Sequence, residues 1–265
     1  MRRALPALSF VLVALVGPSA RCAEPPLRTG TIIMGVPREH FLVLGADRLW
    51  TNALPRADAA PAERQGRVVK IAVHRSLPLA IAVAGIASLG PEHDTVEHVR
   101  RLIAPLDASD ISFDALVETL RIDLMEHLRA VREPAKKALI KNPSDAAARI
   151  RLKAARLTLL VAYVASGRAT LGSLQLDDRW SAQRVAAPRG AMAWPDALNA
   201  FYTRGPYVGA RVLFGTSIQD PVALAAHVRH VIEAGIQEDA RLYRSQDRHV
   251  AGPVDVVVID AKGVR

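Results

Sequence analysis

The feature that most constrains the fold is the order in which the apolar pattern changes period along the chain. From Thr31, "TIIMGV" and "FLVLGAD" are short apolar runs parted by Pro37-Arg38-Glu39-His40, which predicts an antiparallel hairpin. A polar, Pro/Ala-rich loop follows, "NALPRADAAPAERQG". Then "RVVKIAV" and "LPLAIAVAG" predict a second hairpin around His74-Arg75-Ser76. The middle turns helical. "PEHDTVEHVRRLIAPL" predicts a helix opening at Pro91. "SFDALVETLRIDLMEHL" puts Phe113, Leu116, Val117, Leu120, Leu124 and Leu128 on one face, with Ser112 as N-cap. A basic helical extension, "PAKKALIKNPSDAAARIRLKAAR", breaks near Asn142-Pro143. Strands resume in "LTLLVAYVA" and "ATLGSLQLDD", and a helix is predicted over Ala193–Phe201. Asp220 as N-cap and Pro221 in the first turn start a further helix, and "GPVDVVVIDAKG" closes the chain as strand and turn. Strands and helices come in blocks. That argues against a doubly wound parallel sheet and for an α+β fold of antiparallel sheets covered by helices.

The 265 residues are 50% hydrophobic and 23% charged, enough for one sizeable core or two small ones. The first segment has the pattern of a secretory signal: Met1-Arg2-Arg3, then the apolar run "ALPALSFVLVALVG", then "PSARCA". The apolar run is short for a membrane span. Cleavage after Cys22 or Ala23 both fit, and Arg21 disfavours Cys22 as a lipid-anchored start. The alternatives are an uncleaved anchor or a buried N-terminal helix. The expected organisation is therefore a signal peptide over 1–23, a short propeptide over 24–30 and one domain over 31–265, exported to the periplasm or beyond. Loss of Arg2, Arg3 and Arg21 lowers the formal charge from +9 to +6. Cys22 is the only cysteine, which excludes an internal disulfide, a cysteine nucleophile in the domain and a thiolate metal site.

Thr31 raises a chemical question. A threonine hydroxyl barely ionises near neutral pH and needs a base beside it. A free α-amino group, with an unperturbed pKa of about 8, supplies one on the same residue. Inside the chain Thr31 has only an amide nitrogen. Gly30 before it lets the backbone bend and leaves its carbonyl open to the Thr31 hydroxyl, so self-cleavage at Gly30-Thr31 would free the amine.

The pattern "GT-x-x-x-G-V…GADR-x-x-T", followed by "KIAV…AVAGIAS", resembles the proteasome β-subunit branch of the N-terminal-nucleophile (Ntn) hydrolases. In that family a threonine after a glycine is exposed by autolysis. An Asp-Arg pair lies sixteen residues on, as Asp47 does here, and a lysine precedes a second hairpin ending in Ala-Gly, as Lys70 and Gly85 do here. "LTLLVAYVASGRATLGSLQLDD" is similar to the family's central hairpin, and "YTRGPYVG" to its glycine loop, where Thr203 stands in for serine. Asp247 and Asp255 have the family's eight-residue spacing. The likeness spans nearly all of Thr31–Arg265 and is weakest between Pro134 and Arg156. Val250 departs from it, since that position is normally serine.

The resemblance implies a four-layer α-β-β-α sandwich of two antiparallel sheets and an exported threonine-type hydrolase of peptide or amide bonds. Thr31 would be nucleophile, Lys70 would favour its alkoxide, and Asp47 would hold Lys70 charged and aimed. The Gly85 amide would be an oxyanion donor, and Asp247 and Thr203 would orient the amine. The backbone at Thr51 would pair with an extended peptide, with Trp50 and Val83 as candidates for the specificity pocket. The partners implied are a peptide or protein substrate, with self-assembly left open. No cofactor or metal is implied, no nucleic acid is expected, and no membrane span remains once the signal is removed. The alternatives are a small-molecule amidase of the same fold and an inactive binding or assembly protein that keeps Gly30-Thr31 intact. His227 and His230, three apart, lack a carboxylate-histidine signature for metal. The basic stretch from Lys136 to Arg156 lacks the aromatic residues of a nucleic-acid surface and is expected to be a solvated helix face.

Overall fold

A computed structural model of the chain describes residues 28–29, 32–52, 65–86, 88–90, 93–109, 112–184, 192–194, 218–242 and 251–265. In chain order the strands begin with β1 (Arg28–Thr29), β2 (Ile33–Pro37), β3 (Phe41–Asp47), β4 (Leu49–Asn52), β5 (Gln65–Arg67), β6 (Ile71–Val73), β7 (Leu79–Gly85), β8 (Ser88–Gly90) and β9 (His93–Asp94). Helices α1 (Thr95–Ile103), α2 (Phe113–Lys141) and α3 (Ala146–Ala154) come next. Then follow β10 (Leu157–Ala165), β11 (Arg168–Leu176), β12 (Trp180–Arg184), β13 (Met192–Trp194), α4 (Pro221–Leu242), β14 (Val254–Asp260) and β15 (Gly263–Val264).

Two antiparallel sheets form the centre, one ordered β13-β2-β3-β14-β15 and the other β12-β11-β10-β7-β6. Strand alternation builds the layers. In β7 the large residues Leu79, Ile81 and Val83 face α1 and α2 and join a cluster with Val99, Leu116, Leu120 and Leu124. Ala80, Ala82 and Ala84 face the other sheet and meet Leu42, Leu44 and Leu160. Each central strand is thus buried on both faces, which is why these runs are apolar almost throughout rather than alternating. On the outer face of the first sheet, Leu224, Val228 and Ile232 of α4 pack on Ile32, Met34 and Val43. A Cβ added at Gly45 would lie 2.6 Å from Val228 Cγ1 and 2.6 Å from Ile232 Cδ1, so α4 rests on bare backbone of β3. The layers run helix, sheet, sheet, helix: the α+β sandwich of the sequence reading.

The caps explain where helices begin. Ser112 Oγ accepts from Ala115 N at 3.2 Å, and Asp220 Oδ1 accepts from Ala223 N at 2.7 Å, both as expected. The first helix starts later than Pro91, at Thr95. Asp94 Oδ1 takes the amides of Val96 at 2.8 Å and Glu97 at 2.9 Å, and a carboxylate satisfying two orphan donors fixes the start better than an upstream proline. The break near Asn142-Pro143 separates α2 from α3. Residues 192–194 form β13 against β2 instead of opening a helix, because Met192–Trp194 completes the edge of the first sheet. The rest of the helix expected over Ala193–Phe201 lies outside the described residues. Among the described residues, no helix is long and apolar enough to cross a membrane.

Candidate active site

Asp47 ends β3 with no solvent exposure. A buried carboxylate is tolerable only if its lone pairs are filled. Here Oδ1 accepts from Lys70 Nζ at 2.6 Å and from Ile32 N at 2.7 Å, while Oδ2 accepts from Leu49 N at 3.1 Å and Ala251 N at 3.3 Å. The Asp47 amide in turn donates to Ile32 O at 3.1 Å. One side chain therefore ties together the entry to β2, the β3–β4 junction, the entry to β6 and the approach to β14.

Lys70 immediately precedes β6 and is also buried. Burial pushes its ammonium below the ordinary lysine pKa, against the attraction and hydrogen bond of Asp47. Burial and the Asp47 carboxylate thus act on the ammonium in opposite directions, and burial is the larger effect.

Lys70 lines a recess with Val68, with Val83–Ile86 at the end of β7, and with Thr95 and Val96 from the first turn of α1. Gly85 has φ +102°, and a Cβ there would fall 2.1 Å from Arg156 O, so only glycine fits. Val83 N donates to Lys70 O at 2.8 Å. By strand alternation the Gly85 N–H points to the same side, beyond the start of β6. Ile86 N donates to Arg156 O at 2.9 Å and Ile86 O accepts from Thr95 Oγ1 at 2.9 Å, which fixes the strand end.

Asp47 and Lys70 are in direct contact, and Val83 and Gly85 line the same recess as Lys70. Trp50 is buried on β4 and is not among the residues lining that recess. Thr51, next to it, lies in a strand already paired on both sides, with β1 through Thr29 and with β5 through Gln65. The partner along one edge of β4 is thus the chain's own segment just ahead of Gly30. Gly30, Thr31, Thr203, Asp247 and Val250 lie outside the described residues. Ile32, one peptide bond after Thr31 and so about 3.8 Å away along the Cα trace, is held by Asp47.

Two contacts of the site are not legible in the sequence. Arg48 does not pair with its neighbour Asp47. It forks onto Asp255, Nε to Oδ2 at 2.7 Å and Nη2 to Oδ1, joining the end of β3 to β14 across 207 positions. The Ala251 amide on Asp47 is equally remote. In the sequence Asp255 stands out only by its spacing from Asp247, which carries no information about its partner. A second group of potential ligands, His98, Asp123 and His127, lies in the helical layer.

No protein-family model matches the sequence, and no curated protein matches it. Among solved structures the chain is similar to a Gly-1 mutant of Anbu from Hyphomicrobium sp. strain MC1, with a TM-score of 0.53 and 10% identity over 89% of this chain and 85% of that one. At this identity the likeness is one of fold. With the two stacked antiparallel sheets between helical layers, it makes the architecture proteasome-like.

Proposed function

We propose that this chain is an exported threonine-type hydrolase of peptide or amide bonds. Its nucleophile is Thr31, freed by self-cleavage at Gly30-Thr31. The observation that carries this reading is the buried Lys70–Asp47 pair whose carboxylate also grips the Ile32 amide, the residue following Thr31. A buried ion pair is weak grounds for stability, since desolvation offsets much of the attraction. A pair that spends its lone pairs on positioning the backbone next to one threonine is better explained by chemistry there.

In the first step the Thr31 hydroxyl attacks the Gly30 carbonyl. The C–N bond breaks, the acyl group passes to oxygen as an ester, and the Thr31 nitrogen becomes a free amine. Water then hydrolyses the ester and releases the segment ending in Gly30. In turnover the freed amine takes the Thr31 proton as Oγ attacks a substrate carbonyl. The same proton goes to the leaving amine, and water clears the acyl-enzyme. Lys70 would stand beside this route, its charge favouring the Thr31 alkoxide. The Gly85 N–H would be the oxyanion donor. Release of β1 would open the β4 edge at Thr51 and Asn52, where an extended peptide pairs by strand addition. The substrate class is therefore peptide before small amide.

A peptide carrying a β-lactone tests this directly, because ring opening by a nucleophilic threonine leaves a stable mass adduct. The expected adduct maps to Thr31 in the mature protein, is absent in Thr31→Ala and is strongly reduced in Lys70→Met. An adduct at another residue, or none in the mature wild type, would contradict the proposal.

A further inference from the structure

We infer that the helical layer carries a divalent transition-metal site formed by His98 of α1 with Asp123 and His127 of α2. Asp123 and His127 are four apart on one helix, the spacing that stacks two side chains on one face. His98 reaches them from the neighbouring helix. One ligand atom from each residue lies within 4.8 Å of the others. His127 Nδ1 is 3.1 Å from Asp123 Oδ1, and His98 Nε2 bonds the same oxygen. The two rings touch, with centroids 4.4 Å apart. Ligand atoms around a tetrahedral ion at ~2.1 Å would be about 3.4 Å from each other. The cluster is therefore near binding geometry already, and an ion would take the place of the His98–Asp123 hydrogen bond and of the contact between His127 Nδ1 and the Asp123 backbone O at 3.0 Å.

The chemistry of the set selects the ion. Two imidazoles and one carboxylate suit Zn2+, or Co2+ and Ni2+, and disfavour Mg2+ and Ca2+, which take oxygen donors. The His98 side chain is 11% exposed, while those of Asp123 and His127 are 34% and 33% exposed. The anchor is thus set in the packed layer and the remaining coordination position faces water. An ion here pins α1 to α2. Thr95 and Val96, three and two residues before His98 on α1, line the recess beside Lys70, so the pin bears on the wall of the cleft. The inference does not depend on Thr31 chemistry.

The test is titration of the chelator-treated full chain with Zn2+ by calorimetry, and with Co2+ by visible absorption. One Zn2+ per chain is expected, with Co2+ ligand-field bands saturating at one equivalent. His127→Ala and Asp123→Asn, at partly exposed positions, should keep the circular dichroism spectrum and weaken binding by more than ~100-fold, beyond the usual cost of losing a supporting group around a metal. A His227→Ala/His230→Ala double variant should bind as the wild type does. No binding, flat Co2+ spectra, undiminished binding in His127→Ala, or loss of binding in the His227/His230 variant would each overturn the site and leave a hydrogen-bonded His–Asp–His cluster.

Discussion

Asp47 takes four donors with two oxygens, and its removal strands all of them. Asp47→Ala should cost roughly 3–5 kcal/mol, the range for breaking a buried pair and leaving its partners unmet. Lys70→Met should cost less, because the carboxylate keeps the amides of Ile32, Leu49 and Ala251. Urea denaturation of both variants checks this order, and equal losses would mean that the amides contribute little. The pair also has a pH signature. Burial holds the Lys70 pKa below its ordinary value, so between the two values the unfolded chain binds more protons than the native one. This group's contribution therefore rises with pH across that interval, is complete above the unfolded value of about 10.4 and is lost as pH falls through the folded value. The slope of unfolding free energy against pH should be smaller in Lys70→Met over that range. Gly85→Ala should cost about 1–3 kcal/mol for the backbone conformation alone, with the clash on Arg156 O added. A Gly85→Ala variant as stable as the parent would remove the reason for glycine at the end of β7.

At the scale of elements, Arg132 joins three of them. From α2 it donates Nη1 to Leu152 O at 2.8 Å and to Ala155 O, satisfying carbonyls left open at the end of α3. Its Nη2 meets Asp178 Oδ2 at 2.7 Å, just past β11. Lys136 Nζ reaches Asp178 Oδ1 at 2.5 Å, so part of the basic stretch is engaged rather than merely solvated. Hydrogen bonds from Arg132, then Lys136, hold the Asp178 carboxyl at about 2 against an ordinary 3.8. A depressed carboxyl stabilises the fold above the unfolded value, and that stabilisation is lost as pH falls from 3.8 through about 2. Asp178→Asn should flatten this part of the acid limb in a thermal melt series. The effect will be modest and salt-sensitive at so open a position. Arg132→Ala should cost about 1–3 kcal/mol for the uncapped carbonyls. Its melting point equal to the parent's would show that water replaces the guanidinium.

The hairpins and the Ser112 and Asp220 caps are legible because each is written in a few adjacent residues. The start of α1 is misplaced when Pro91 is weighted over Asp94, and β12 and β13 are edge strands that acquire their conformation from neighbours already in the sheet. The Lys70–Asp47 contact comes from a family resemblance, since a lysine and an aspartate 23 positions apart have no local signal. The same absence of signal holds for Arg48 with Asp255, and for His98, which meets Asp123 from 25 residues away. Only the four-residue spacing of Asp123 and His127 is on view in the sequence, and it is common on solvated helices.

For the whole molecule, the two stacked sheets bring the end of β3 against the entry to β6 through Asp47 and Lys70, set the end of β7 in the same recess as Lys70, and hold the start of β2 at Ile32 through Asp47. The central claim is that this arrangement exists to free and use the Thr31 amine. Its most direct measurement is the intact mass of the purified full-length product, with N-terminal sequencing, beside that of Thr31→Ala. The account predicts that the wild-type protein begins at Thr31 and that Thr31→Ala retains the segment ending in Gly30. A wild-type chain that stably begins ahead of Gly30, or a Thr31→Ala chain cut after Gly30 all the same, would contradict it.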